Sequence, residues 1–343
     1  MLTDRQLFLL QVIIDDYISN AQPVGSRSIA KRENVKLSPA TIRNEMSDLE
    51  ELGFLEKTHS SSGRVPSEKG YRFYVDNLLS PKALDKSDVK NIKSVFAEHI
   101  YEFEQVIQQS AQILSSITSY TSILLGPEVF ETKLKHMQII PLSDATAVTI
   151  FVTDTGHVEK KTVSIPKGIK LEEIEKVVNI LNQKLKGVPI VNLNNMIFKE
   201  VAEVLKVHLQ NYEDIMKLIT GSFESKKPDK IYYGGKTNIL SQPEFNDIEQ
   251  VRTLLNTIEQ QDLVYEWLKP NANGIIVNIG QENQLKEMHN CSVITASYSL
   301  ADQHMGTIAI LGPTRMEYSR VISLLELFSN DLTKLLTKTY YPK

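Results

Sequence analysis

Cysteine is nearly missing from this chain: Cys291 is the only one in 343 residues. A single thiol excludes an intramolecular disulfide framework and any cysteine-rich zinc site. No apolar run approaches the roughly 20 residues that span a bilayer, so no membrane partner is expected. The opening MLTDRQLFLLQVIIDD is apolar, but it carries acids and lacks a basic leading segment, so it does not read as a signal peptide and a cytoplasmic location is expected. An excess of positive charge is missing too: 38 Lys and Arg face 42 Asp and Glu, for a net charge of -4. Gly235-Lys236-Thr237 falls short of a phosphate loop, because the pattern G-x-x-x-x-G-K-[ST] needs glycine where Lys230 stands. His289 and Cys291 lie two apart with no second pair to complete a metal site, and Cys291 reads as a small strand hydrophobe. The seven histidines form no H-E-x-x-H or nucleophile motif. The carboxylates at Asp15-Asp16 and Glu172-Glu173 read as first-turn or solvated helix charges. No catalytic residue, metal or cofactor is expected, and the chain does not read as an enzyme.

What is present centres on Ser38 to Asp76. Ser38-Pro39 places a hydroxyl at a helix N-cap and proline at the first helical position, where a missing N–H costs nothing. Ile42, Met46 and Leu49 recur at i, i+4 and i+7, making one face apolar. Gly53 follows Leu52, where a left-handed residue would end the helix. The opposite face carries Ala40, Thr41, Arg43, Asn44 and Ser47, small or hydrogen-bonding residues gathered in the first two turns. The acids Asp48, Glu50 and Glu51 come only later. A helix whose N-terminal end enters a major groove needs short side chains for close approach, with Arg suited to guanine and Asn to adenine edges. Its positive end also favours phosphate.

Phe54–Thr58 then reads as a strand, 59–63 as a polar turn and Arg64-Val65-Pro66 as a returning strand. Alone, this hairpin reads equally well as an exposed turn that happens to carry Arg64. Behind such a helix it reads as the wing of a winged helix-turn-helix, lying along the backbone or in the minor groove. Charge averaged over residues 1–80 argues against DNA, with ten basic residues against eleven acidic ones. Its distribution argues the other way. Arg27, Lys31, Arg32, Lys36 and Arg43 face Glu33 alone between Val24 and Asn44, and four basic residues face Glu68 between Lys57 and Arg72.

The run Ser62-Gly63-Arg64-Val65-Pro66-Ser67-Glu68-Lys69-Gly70-Tyr71-Arg72-Phe73-Tyr74-Val75-Asp76, behind SPATIRNEMSDLEELGFLEK, resembles the heat-inducible transcription repressors of bacteria, the HrcA family. The resemblance extends over essentially the whole chain, with sharp motifs in the first 80 residues only.

The length allows about two or three domains. Before the central helix, Thr3 and Gln6 form a capping box for a first helix with Leu7, Leu10, Ile14 and Tyr17 at helical spacing. Ser26 can cap a short second helix, and Val35-Lys36-Leu37 is expected to form a brief strand beside the wing. Pro66-Ser67 restarts a helix, although Gly70 weighs against it, and Ser80-Pro81-Lys82 marks a boundary. A long amphipathic helix is expected over 87–119 and strands over 137–140, 147–152 and 157–165. A helix is expected over 171–185, further helices over 201–219 and 247–267, strands over 274–279, 291–298 and 306–311, and a closing helix over 318–336. Two β-rich blocks around a helical one imply a multidomain α+β chain with an insertion. The resemblance makes this a winged helix at 1–80, a GAF-like sensor domain at 81–195 plus 270–343 with a leading linker helix, and an inserted, mainly helical dimerisation domain at 196–269.

The resemblance further implies a dimeric repressor of chaperone operons (groE and dnaK). Its DNA partner would be an inverted-repeat operator, the CIRCE element, whose palindrome demands a two-fold homodimer. It also implies that the GroEL chaperonin keeps the repressor active until heat-unfolded proteins occupy it. Thr41, Arg43, Asn44 and Ser47 are the candidate groove contacts, with Ser38 and Ala40 close to the backbone. Arg27, Lys31, His59, Arg64, Lys69 and Arg72, with Ser61 and Gly63 in the wing, would face phosphates or the minor groove. Each position also has a bland reading as a solvated side chain, which competes most closely at Lys31, Lys69 and Arg72. The rival function is a metabolite-responsive winged-helix regulator whose GAF-like domain binds a small molecule.

Overall fold

The computed structural model describes residues 2–58, 63–80, 83–98, 103–126, 133–154, 158–201, 212–223, 231–268, 274–300 and 303–340. They fall into two compact units, Met1–Gly126 with Lys230–Lys343, and Pro127–Asp229. The first unit opens with helices α1 (Asp4–Asn20), α2 (Ser26–Ala30) and α3 (Pro39–Glu51), then strands β1 (Leu55–Lys57) and β2 (Arg64–Pro66) and helix α4 (Glu68–Phe73). This is a winged helix-turn-helix. The capping box of α1 forms as expected: Gln6 N–H donates to Thr3 Oγ1 at 3.3 Å and Thr3 N–H to Gln6 Oε1 at 3.0 Å. Residues 35–37 are not a strand. The wing instead takes its third partner from Val24, whose N–H and C=O exchange hydrogen bonds with Arg64 at 2.8 and 2.9 Å.

The long helix expected over 87–119 appears as α5 (Lys86–Glu98) and α6 (Phe103–Thr118). Strand β3 (Thr121–Leu125) follows. It enters an antiparallel five-stranded sheet with β7 (Ile231–Gly234), β8 (Ile275–Ile279), β9 (Cys291–Leu300) and β10 (Gln303–Pro313), in the order β7-β3-β10-β9-β8. Alternating residues feed two cores. Leu124, Ile294, Ile308 and Ile310 face the cluster that holds the C-terminal helix Tyr318–Tyr340. Ile123, Leu125, Val293, Ala309 and Leu311 face helices Ile248–Glu259 and Gln261–Leu268. Both faces are therefore covered, a helix–sheet–helix sandwich. The first cluster also contains Leu9, Ile13, Ile42, Leu49 and Tyr71, so the winged helix shares one continuous apolar core with the sheet.

The second unit holds β4 (Leu134–Ser143), β5 (Thr146–Thr153) and β6 (Val158–Ser164) in an antiparallel sheet, followed by α7 (Leu171–Leu185). Leu134, Met137, Phe151, Ile174, Val177 and Leu181 form its core. The compact units thus divide near 127 and 229, whereas the division expected from sequence fell at 196 and 269. Strand pairing is the reason. β7 bonds to β3, and the helices of 248–268 pack on the five-stranded sheet, while among the described residues β4, β5 and β6 pair only with one another.

Cys291 lies at the start of β9, fully buried, and burial pushes its thiol up to about 12. At pH 8 alkylation of this thiol should therefore follow global unfolding in urea, and stoichiometric labelling of the native chain would contradict the packing of β9.

Candidate nucleic-acid interface

Helix α3 is held at three points. Its start is capped by Ser38, whose hydroxyl accepts the Thr41 N–H at 3.1 Å. Its end closes in a left-handed turn at Gly53 (φ +80), where Gly53 N–H reaches Glu50 O and Phe54 N–H reaches Leu49 O, both at 2.9 Å. Its apolar face is sealed by Ile42, Met46 and Leu49, all buried. That burial leaves the opposite face outward: Ser38, Ala40, Arg43 and Asn44 are exposed, and Thr41 and Ser47 half-exposed. Among the described residues, neither Arg43 nor Asn44 spends its side chain on a hydrogen bond or ion pair within the protein. Arg27 and Lys31, on and just after α2, are likewise exposed.

Three acids of this domain are occupied. Glu45 pairs with Arg5 at 3.0 Å, Glu50 with Arg64 at 2.6 Å, and Asp16 with Arg32. The near-zero balance of the first 80 residues therefore hides a segregated surface. Several acids are neutralised internally, while Arg27, Lys31, Lys36 and Arg43 stay open to solvent. Such a surface attracts a polyanion at short range despite its small net charge.

The other candidates behave differently. Gly63 is buried against Pro23, with a Cβ there only 2.9 Å from its backbone, so glycine is needed for the wing to close on the turn before α2. Arg64 sits at the root of the wing rather than its tip: its side chain is 16% exposed and its Nε donates to Glu50 on α3. Lys69 is exposed, yet its Nζ donates to the Leu52 carbonyl at 2.7 Å and lies 4.7 Å from the Phe54 ring centroid, so it caps the C-terminal end of α3. Arg72 points into its own unit, bonded to Glu282 and to the Val277 carbonyl. These three cations, read from sequence as partners for phosphate, have partners inside the protein. His59 and Ser61 lie outside the described residues. Sequence reasoning did not find Glu50 and Glu282, whose roles come from partners distant in the chain.

The arrangement matches what families of known proteins display. The description "Winged helix-turn-helix transcription repressor, HrcA DNA-binding" matches residues 1–76, and "HrcA protein C terminal domain" matches residues 104–322. The chain belongs to the HrcA family. It is a DNA-binding transcriptional repressor of the heat-shock regulon, and its family is not one of enzymes. A solved structure described as a hypothetical protein at 2.2 Å resolution is 24% identical with TM-score 0.66, covering 99% of this chain and 100% of that one; it shares the fold. The IclR protein of Thermotoga maritima is 14% identical with TM-score 0.23, covering 98% of this chain and 100% of that one. The Agobacterium tumefaciens repressor BlcR is 13% identical with TM-score 0.21, each chain being covered to 98%. At those TM-scores neither carries an argument about this chain. Among the described residues no group of His, Cys, Asp or Glu could hold a metal ion, and no helix is long and apolar enough to cross a membrane.

Helix α4, which follows the wing in this family member, tests the packing. Glycine in a helix normally costs about 1 kcal/mol against alanine. At Gly70, however, a Cβ would lie 2.2 Å from the Phe54 carbonyl oxygen. Gly70→Ala should thus reverse the usual sign and destabilise by about 1–3 kcal/mol in urea titration; a stabilised variant would contradict the close approach of α4 to Phe54.

Proposed function

We propose that the chain acts as a homodimer on an inverted-repeat operator of the CIRCE type upstream of the groE and dnaK operons. The outward tip of α3 reads the major groove in each half-site. The observation that carries this reading is that Arg43 and Asn44 are exposed and uncommitted on a helix capped, terminated and packed to display them. Thr41 and Ser47 flank them on the same face, and Ser38 and Ala40 lie where a phosphate would approach the helix N-terminus. Arg27 and Lys31 supply backbone contacts, and the wing turn, with His59 and Ser61, lies along the duplex.

Dimerisation has a candidate surface in the second unit. The face of its sheet away from the core carries Ile140, Leu142 and Val158 at 39, 63 and 57% exposure. Val148 and Val152, opposite Ile140 and Val158 in the ladder, are half-buried on the same face. An exposed apolar sheet face of this kind fits a two-fold contact. The five-stranded sheet with its helices is the GAF-like sensor domain of this reading. GroEL, engaged with unfolded protein during heat stress, withdraws the help that keeps the repressor active; this requires a native state only narrowly preferred over inactive ones.

A second reading, a metabolite-responsive regulator, is favoured by one observation. A cleft of about 440 Å³ lined by Asp15, Ser19, Tyr74, Ser80, Glu317 and Arg320 lies between the winged helix and the start of the C-terminal helix. Operator binding that changes with added metabolite extract but not with chaperonin would favour it.

Arg43→Ala should cost about 1–3 kcal/mol of specific binding and relax the preference at one base position in a gel shift with operator variants. Wild-type affinity and selectivity in that variant would remove α3 from the groove. In the same assay, purified GroEL should raise the bound fraction of wild-type repressor, and an unchanged fraction would count against the chaperonin step.

A further inference from the structure

The reader is bolted to the sheet behind it by an ion pair and by hydrogen bonds that its DNA contacts do not use. Arg72 on α4 donates Nε to Glu282 Oε1 at 2.8 Å and another N–H to Oε2 of the same carboxylate. It also reaches the Val277 carbonyl at 2.6 Å and Asp76 at 3.2 Å. Val277 belongs to β8, one of the two edge strands of the five-stranded sheet. Two residues on, the Ile279 N–H donates to Glu282 Oε2 at 2.8 Å. Arg72 and Glu282 together thus supply a donor and an acceptor along the open edge of β8, the groups a neighbouring strand would otherwise provide.

A second contact stands beside this one. Glu68, also on α4, accepts the Gln281 N–H at 3.3 Å. Gly280 at φ +56 leaves room for that carboxylate, since a Cβ there would lie 2.0 Å from Glu68 Oε1. A further contact comes from Arg315, which grips Glu244 at 2.5 Å and donates to the Ile18 carbonyl, in the last turn of α1, at 2.7 Å. The Glu282 carboxyl is opposed by burial, yet hydrogen bonds from Arg72 and the Ile279 N–H hold it below its usual range. A set of directional bonds to carbonyls and carboxylates fixes an angle in a way that apolar packing alone does not.

We infer that Arg72, acting through Glu282, is a positioning residue that sets the direction in which α3 is presented and makes no contact with the duplex. The inference rests on the reading of a dimer on an inverted repeat. Two readers already held in one pose engage both half-sites without first losing orientational freedom, and that advantage exists only on the full repeat.

Binding of the full-length protein to duplexes carrying the whole repeat or one half-site, across a range of salt, tests it. Arg72→Ala should weaken full-repeat binding by about tenfold, within the usual span of coupling between sites, and leave half-site binding unchanged. The slope of log affinity against log salt should also stay unchanged, whereas loss of a phosphate contact lowers it by about one. Glu282→Gln, a change on the sheet side, should reproduce the loss even if Arg72→Ala folds poorly. The double variant should lose no more than either single one. Equal losses on half and whole sites with a reduced salt slope would make Arg72 a DNA contact and overturn the inference. So would a Glu282→Gln variant that binds the full repeat like wild type. A wild-type protein that binds half and whole sites equally would remove the dimeric reading itself, and the positioning role with it.

Discussion

Burial of Ile42, Met46 and Leu49 is the constraint from which the rest of the reader follows. Those three side chains lock the rotation of α3 about its own axis, and every polar residue on the helix is thereby assigned a direction. Removing their apolar area from water stabilises the domain by a few kcal/mol. The same burial turns Arg43 and Asn44 outward. The Ser38 cap and the left-handed turn at Gly53 then set where that face begins and ends. Because this core runs on without a break into the helices against the five-stranded sheet, the position of the reader is tied to the body of its unit by packing as well as by charge.

Electrostatics works here by removal more than by addition. The chain is acidic overall, yet Arg5, Arg32 and Arg64 each take an acid of this domain out of play. Ion pairs that stay partly open to solvent, as these do, contribute modestly to stability. Their effect on the field is larger, because a carboxylate neutralised at contact distance no longer repels a phosphate beyond the screening length. The protein thereby presents a cationic patch without the excess charge that would bind any nucleic acid indiscriminately.

Much of the reader was legible in sequence. Capping, the i, i+4, i+7 spacing and the terminal glycine are local signals, and they located α3 and the wing strands. The strand expected at Val35–Leu37 failed because the wing found its third partner in Val24, a pairing that no local pattern announces. Strand β3 (TSILL) went unseen because both of its faces are buried, which erases the alternation that marks a half-buried strand. The unit boundaries were illegible for a related reason: β7 joins β3 across more than a hundred intervening residues. Arg64, Lys69 and Arg72 look from sequence like partners for phosphate. Their actual partners lie 14, 17 and 210 positions away. A cation near a reading helix therefore says little until its neighbours are known.

The native thiol, Cys291, is buried, so a thiol introduced on the reader can be modified alone. The most direct test of the central claim is to attach a DNA-cleaving iron chelate to an Asn44→Cys variant and map the cut positions on the operator. If the tip of α3 lies in the groove, cleavage will fall within both halves of the repeat, in two clusters related by its dyad. A variant that still binds the operator but cuts outside the repeat, or nowhere, would contradict the account.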